Sequence, residues 1–406
     1  MLLKEELERV VVKQQEDLKK DLGVPRTFKI KLLNKFTTII SGIRRCGKST
    51  IARQFLSKKN PIYYIYFEDI MLTEFKLEDF IQLDEIFHEK LGLKGIYFFD
   101  EIQNINGWEK HIRTLVDRGE KVIITGSNAS MLSKELGTRL TGRHITLELY
   151  PFSYEEFLIL RNKKHSLNLF EEYLMKGGFP EYLKTDDNDV LRNLFQDIFY
   201  RDIMNRNDLR SETEIKSLLY YLISNIGKEI SYNKLKELVK VGSVNTITQF
   251  MNHFEQAYLI FSIKKYDFSL KKQMINPKKV YCIDNAMIGS NSFSFSENKG
   301  RLLENLVFLE LKRKKKEIYY HKNKFECDFL VFEKLKIVEA MQICLKLDMY
   351  NKEREINGLV EALKEHKLKE GLILTLNQED EIKIDNTKNG TSKKIIVKPV
   401  WKWLLE

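Results

Sequence analysis

FTTIISGIRRCGKSTIARQFL, residues 36–56, is the stretch that decides how this chain folds. It opens with apolar and β-branched residues, 36–40, that read as a buried strand. Gly42, Ile43, Arg44, Arg45, Cys46, Gly47, Lys48, Ser49 and Thr50 then match G-x-x-x-x-G-K-[ST] in full. Residues 49–56 continue as a helix. In that context the glycines let backbone N–H groups wrap a phosphate, and the helix N-terminus adds a favourable field. Lys48 is expected to reach the β- and γ-phosphates of ATP, and Ser49 to hold Mg²⁺. Arg44 and Arg45 are unusual inside such a loop and can face nucleotide, another domain or DNA.

Working outward, the next informative segment is Ile96, Tyr97, Phe98, Phe99, Asp100 and Glu101. A buried strand that ends in two carboxylates needs a cation or water to engage them. Asp100 is expected to orient Mg²⁺ and Glu101 to polarise the water that attacks ATP. A third apolar strand ends at Thr125, Gly126, Ser127 and Asn128. If it neighbours the phosphate strand, Ser127 or Asn128 lies beside the γ-phosphate; the alternative is that Asn128 caps a helix. Arg139 and Arg143, four residues apart, suit an arginine finger or sensor, acting within the chain or on a neighbouring copy. The alternative for each is a surface salt bridge.

The apolar runs 36–40, 62–67, 96–99 and 122–125 show little alternation, with amphipathic stretches between them. Such strands suit a parallel sheet covered by helices on both faces. One or two helical segments precede them within residues 1–33. Residues 1–150 therefore read as an α/β domain, and 151–210 as a helical lid or linker. In 211–270, Leu218, Leu219, Leu222 and Ile223 form one helical face. Ser231 and Ser243 are placed to cap two more helices, and residues 258–263 alternate as a strand. Three helices and a hairpin in that order predict a winged helix. Residues 271–406 read as a small α/β domain, with a helix near 302–311, strands at 318–320, 329–332 and 337–339, a helix at 351–364 and strands at 372–376 and 395–397.

Composition sets the outer limits. The chain has 406 residues, 43% hydrophobic and 31% charged, which is globular rather than disordered. No run approaches the roughly 18 apolar residues that span a bilayer. The charged N-terminus does not read as a signal peptide. Cys46, Cys282, Cys327 and Cys344 lack metal-ligand spacing and fit a reducing, cytoplasmic setting. The 68 basic against 58 acidic residues give a net charge of +10, which permits a nucleic-acid partner without requiring one.

Together these residues resemble a family of archaeal and bacterial AAA-type ATPases. The resemblance rests on the Gly-x-Arg-Arg-x-Gly-Lys-Ser-Thr loop, Asp100 to Gln103 with Trp108, Thr125 to Ser127, Leu140 to Arg143, and Pro151, Phe152, Ser153, Tyr154, Glu155, Glu156 and Phe157. It implies an ATPase domain, a winged helix and a C-terminal domain of the restriction-endonuclease-like, PD-(D/E)XK fold. It further implies ATP hydrolysis and a cytoplasmic location. Glu304, Asp328 and Glu339 then become candidates to gather round a divalent metal. The last motif departs from acidic-x-Lys: it reads Glu339, Ala340, Met341, with Gln342 next. Methionine neither offsets charge nor activates water, so cleavage is disfavoured.

In a winged helix the second helix of the turn enters the major groove. Here that is residues 243–249, with Asn245, Thr246, Thr248 and Gln249 able to meet bases or phosphates. Lys234, Lys236, Lys240, Lys264 and Lys265 flank it. The leading expectation is an ATP-driven activity on DNA, with homo-oligomers left open. The alternatives are a protein-remodelling ATPase and an ATP-gated nuclease.

Overall fold

Consecutive β-branched and aromatic residues build a fully parallel sheet in the first of two units, Met1–Tyr150 with Gln256–Tyr258. The structure, a computed structural model, describes residues 2–18, 22–59, 61–129, 142–291, 299–384 and 393–406. The strands are β1 (Thr37–Gly42), β2 (Ile62–Tyr66), β3 (Ile96–Asp100), β4 (Lys121–Gly126) and β5 (His144–Leu149), in the order β2-β3-β4-β1-β5. All pairings are parallel. β1 is buried along its whole length, as a central strand with both faces covered must be. Ile39, Ile65, Phe99 and Ile124 meet Phe80, Leu83 and Trp108 in one core.

One strand goes beyond the four apolar runs read from the sequence. The fifth strand, β5, was not anticipated. Its segment, HITLEL, is an edge strand whose polar residues break the apolar run that marks the other four. Of the one or two helices expected in residues 1–33, the described residues form one, Lys4–Asp17; residues 22–33, with Gly23 and Pro25, are irregular.

Parallel strands deliver all their C-terminal ends to one edge of the sheet. The loop after β1, the carboxylates that end β3 and the residues after β4 therefore share that edge. Arg143 precedes β5, and its carbonyl accepts from Thr37 N at 3.1 Å, at the opposite edge.

The second unit comprises Pro151–Glu255 and Leu259–Glu406. It begins with helix Tyr154–Arg161, started by a reciprocal cap: Glu156 N donates to Ser153 Oγ (3.2 Å) and Ser153 N to Glu156 Oε2 (2.9 Å). The break at Gly177 and Gly178 has a steric cause. Gly177 has φ +60°, and a Cβ there would sit 1.9 Å from Asp284 Oδ1. Gly178 N donates to that carboxylate at 2.7 Å.

Next come helix Glu212–Ser224, β6 (Glu229–Ile230), helices Tyr232–Leu238 and Val244–Gln256, β7 (Ile260–Lys265), helix Leu270–Ile275 and β8 (Lys278–Cys282). β6 and β7 both pair antiparallel with β8. Ser231 occupies the N-cap position of its helix without a side-chain bond, whereas Ser243 Oγ accepts from Thr246 N at 3.1 Å. Helix Lys299–Arg313 leads into β9 (Glu317–Lys322), β10 (Glu326–Glu333) and β11 (Lys336–Ile343), and helix Lys352–Glu365 into β12 (Glu370–Thr375). β13 (Asp380–Ile384), β14 (Lys393–Pro399) and helix Val400–Leu404 end the chain.

The boundary expected at 270/271 does not exist. It falls between β7 and β8, which are paired, and β7 also pairs parallel with β9. One nine-stranded sheet runs β13-β14-β12-β11-β10-β9-β7-β8-β6. The segment KKVYC of β8 lacks the alternation that marked β7, which is why the sequence reading stopped short of it.

Candidate functional site

The loop after β1 is shaped by backbone demands that its sequence meets. Gly42 has φ +155°, and a Cβ there would lie 2.2 Å from Leu149 O. Gly47, at φ +98°, is the N-cap of helix Lys48–Leu56. Arg45 adopts φ +61°, a left-handed conformation uncommon outside glycine. Cys46 is buried, and its Sγ approaches Leu149 O at 3.4 Å; burial raises its thiol pKa and keeps it neutral. Cys46 therefore packs the loop. Arg44 forms an ion pair with Glu68 at 3.0 Å.

Lys48 is buried, and its Nζ donates to Ile43 O (3.3 Å) and lies 3.2 Å from Glu101 Oε1. Burial works against its charge, but Glu101 outweighs that and raises the lysine. The same pair acts on Glu101. Burial would raise its carboxyl, yet the Lys48 ammonium holds it below the usual range. Gln103 Nε2 donates to the second oxygen at 2.5 Å. Glu101 sits at φ +54°, the turn that aims its side chain back at the loop.

Asp100 has different surroundings. Ser49 Oγ donates to its Oδ1 at 2.9 Å, Thr125 Oγ1 donates to the same oxygen, and Tyr64 OH donates to Oδ2 at 3.3 Å. Burial and then the neighbouring Glu101 push its carboxyl up to about 6. Glu101 N donates to Thr125 Oγ1 at 2.9 Å, so the strand ends are tied together. Ser127 and Asn128 are buried just past β4, which does neighbour β1.

Arg143 does not join them. Its NH1 is paired with Asp117 Oδ1 at 2.7 Å, half-exposed, at the far edge of the sheet. β1 alone, at about 3.3 Å per residue, separates it from its own phosphate loop. The role of a finger within the chain is thereby corrected: the resemblance covered the motif, but strand direction decides the edge. Arg139 lies outside the described residues. Sequence reading missed Arg26, whose NH1 donates to Cys46 O (2.9 Å) and NH2 to Tyr150 O (2.7 Å), clamping the loop. It lies in an irregular segment with no motif to mark it.

The second unit holds a separate pocket of about 830 Å³ whose lining carries both charges: Glu304, Asp328 and Glu355 on one side of the balance, Arg301, Lys324 and Arg354 on the other. Glu304 and Asp328 do converge, but on an ammonium. Lys279 Nζ from β8 lies 3.1 Å from Glu304, 2.8 Å from Asp328 and 2.7 Å from Glu326. Burial opposes the lysine's charge, and Asp328 and Glu304 overcome it, so Lys279 stays protonated. One ammonium does not compensate every carboxylate. Glu304 is pushed up to about 7, by burial first, and Tyr281 OH donates to it at 2.7 Å.

Glu339 is not part of this cluster. It is exposed on β11, three residues from Gln342 and therefore on the other face. β10 and β11 pair Phe329 with Met341. That register sets Gln342 beside Asp328, whose N donates to Gln342 Oε1 at 3.3 Å. Gln342 Nε2 in turn donates to Glu355 at 2.6 Å. Neither Lys279 nor Glu355 carries a local sequence signal.

On helix Val244–Gln256, Asn245 and Gln249 are exposed. Thr248 Oγ1 is bonded to Val244 O (3.0 Å) and Thr246 Oγ1 lies 3.0 Å from Ser243 Oγ. The two threonine hydroxyls thus serve the helix itself. Lys234, Lys240 and Lys264 are exposed nearby in sequence. No described helix is long and apolar enough to cross a membrane.

Two family models match. Residues 34–158 match an AAA domain, and residues 167–294 match a domain of unknown function. The chain therefore carries an α/β AAA-type P-loop domain, which binds ATP. The second match runs through β8, past the boundary corrected above. An uncharacterized protein of Methanocaldococcus jannaschii, MJ1544, is 37% identical, covering 98% of this chain and 95% of that protein. An uncharacterized protein of Haemophilus influenzae is 32% identical, over 69% of this chain and 75% of its own length. A second M. jannaschii protein, MJ1637, is 26% identical over 60% of this chain and 59% of its own.

Proposed function

The chain belongs to the same family as MJ1544 and the H. influenzae protein, and on the premise of its own AAA domain we propose an ATP-hydrolysing switch that acts on DNA. The observation that carries hydrolysis is the shared position of Lys48, 3.3 Å from a loop carbonyl and 3.2 Å from Glu101. A γ-phosphate competes with Glu101 for this ammonium. Drawing Lys48 onto phosphate frees the Glu101 carboxylate, already ionised, to take a proton from water. Gln103 keeps its second oxygen in place. The residues also fit Mg²⁺: the Ser49 hydroxyl and Asp100 carboxylate, 2.9 Å apart, are hard oxygen donors. When bound there, Mg²⁺ supplies charge neutralisation to the phosphates. Asp100 holds the serine, and Thr125 holds Asp100.

The DNA part rests on the order helix, β6, two helices, β7, the short helix Leu270–Ile275 and β8, with β6 and β7 both antiparallel to β8. This supports the winged-helix reading, with Asn245 and Gln249 as its outward groups. The order helix, β9, β10, β11, helix, β12, with β11 and β12 parallel, supports the restriction-endonuclease-like resemblance. With Lys279 among the carboxylates and Glu339 elsewhere, we read that module as binding rather than cleaving.

One observation favours a protein partner as a second reading. Phe268, Leu270, Met274 and Ile275 between β7 and β8 are all more than two-thirds exposed: 81%, 74%, 71% and 73%. The deciding experiment measures ATPase rate alone, with duplex DNA and with single-stranded DNA, for wild type and Glu101→Gln. Glu101→Gln should retain ATP and lose about 10²-fold or more in kcat. Wild-type turnover by Glu101→Gln sinks the assignment, and indifference to either DNA turns the reading to protein.

A further inference from the structure

Away from both sites, the last turn of helix Lys352–Glu365 faces His321 on β9. His321 is 3% exposed on its side chain. Its Nε2 lies 2.9 Å from Glu361 Oε1. A carboxylate only accepts, so Nε2 carries the proton and Nδ1 presents its lone pair. That Nδ1 lies 3.9 Å from Glu365 Oε2, too far for a hydrogen bond. His366 follows directly in the chain, its ring 5.9 Å from that of His321 and almost perpendicular to it at 87°. The Nε2 of His366 is buried and has no hydrogen-bond partner. A buried ring nitrogen with neither donor nor acceptor beside it is costly unless something else occupies its lone pair.

Ligand atoms of His321, Glu365 and His366 all lie within 4.8 Å of one another. We propose that these three residues form a zinc site that fastens the end of helix Lys352–Glu365 to β9. The donor set, two imidazoles and a carboxylate, suits Zn²⁺ with water as the fourth ligand. Bonds of about 2.0–2.1 Å require the donors to contract by about an ångström. Glu365 is exposed at the helix end and can make that movement.

The surroundings are those a metal-bound histidine needs. A ligating imidazole donates its other N–H to a carboxylate, which fixes the tautomer and raises ligand basicity. Glu361 does this for His321. Glu361 is itself held by Lys324 N and Phe325 N, each at 3.2 Å, so it belongs to the β9–β10 turn. Asn323 Nδ2 donates to Glu365 Oε2 at 2.7 Å, which steadies that carboxylate beside His321. Lysines are absent from the three ligands, and none of the three lies in the ATP site or the Lys279 cluster.

The test uses the full chain, stripped with chelator and titrated with Co²⁺ and then Zn²⁺ in the absence of Mg²⁺. Wild type should take up one Co²⁺ with visible absorption of a four-coordinate N/O centre, which Zn²⁺ displaces. His366→Ala, at a half-buried position, should lose that absorption and the Zn²⁺-dependent rise in Tm while remaining folded by circular dichroism. Glu361→Gln should keep the site with about 10–100-fold weaker affinity, as expected for a residue acting through His321. Unchanged Co²⁺ absorption in His366→Ala, or a folded wild type that takes up no Co²⁺, overturns the proposal. ATP turnover should be the same in His366→Ala and wild type.

Discussion

Replacing Lys279 with methionine tests the reasoning about the buried carboxylate cluster most directly. The substitution preserves the aliphatic stem and removes the ammonium. At an effective dielectric near 20, each contact at about 3 Å is worth about 5–6 kcal/mol of Coulomb attraction before desolvation. The Glu326 contact counts for less, because that side chain is a third exposed. Asp328 and Glu304 are the contacts that matter, with side chains 8% and 11% exposed. Desolvation of the lysine offsets much of the attraction. Removing one partner of such a buried set nevertheless costs about 3–5 kcal/mol, since the carboxylates stay behind without a counter-charge.

The pH dependence has a definite sign. Glu304 has an ordinary value of 4.5 and a folded value of about 7, so the folded state holds its proton more tightly. Its contribution to stability is full below 4.5 and is lost as pH rises through about 7. Without Lys279 the carboxyl rises further, so the penalty keeps growing above the pH at which wild type levels off. The deficit of Lys279→Met should therefore already be present near pH 6, where Lys279 still meets Asp328 and Glu326, and be larger near pH 9, where Glu304 has lost its proton. Hydrogen exchange in peptides from Lys299–Arg313 and Glu326–Glu333 reads the local opening free energy at both pH values. A deficit below about 1 kcal/mol, or one that does not change with pH, refutes the account.

Three shorter tests address the other assignments. Arg143→Ala should change ATP turnover less than threefold at dilution, because Arg143 pairs with Asp117 away from the phosphate loop; a loss that grows with protein concentration would assign it to a neighbour's site. Gly42→Ala should abolish ATP binding measured by equilibrium titration, since its Cβ meets Leu149 O at 2.2 Å; retained affinity would show that the loop yields. In fluorescence anisotropy, Lys264→Ala should weaken duplex binding and reduce the salt slope by about 1; an unchanged slope removes that lysine from the contact.

Legibility in the sequence followed the range of the forces involved. Gly42, Gly47, Lys48 and Ser49 act within one turn of chain, so the site could be named from a nine-residue string. Asp100 and Glu101 were legible because a strand that ends in two carboxylates is locally conspicuous. Edge and partner were not. Arg143 follows its motif closely, yet the direction of β5 carries it to the wrong end of the sheet. Glu339 had the right residue type, but a strand alternates faces, and three residues separate it from Gln342. Lys279 shows the limit most clearly. The acidic residue nearest it in sequence, Asp284, is not among its carboxylate partners, which come from positions 304, 326 and 328. Sequence alone made Met341 the missing charge of that pocket. The fold supplies the charge from β8 instead, through the same strand whose pairing erases the boundary between the two modules. The merged sheet and the paired carboxylates are therefore one fact: β8 is shared, and its lysine meets the carboxylates that β10 and helix Lys299–Arg313 bring together.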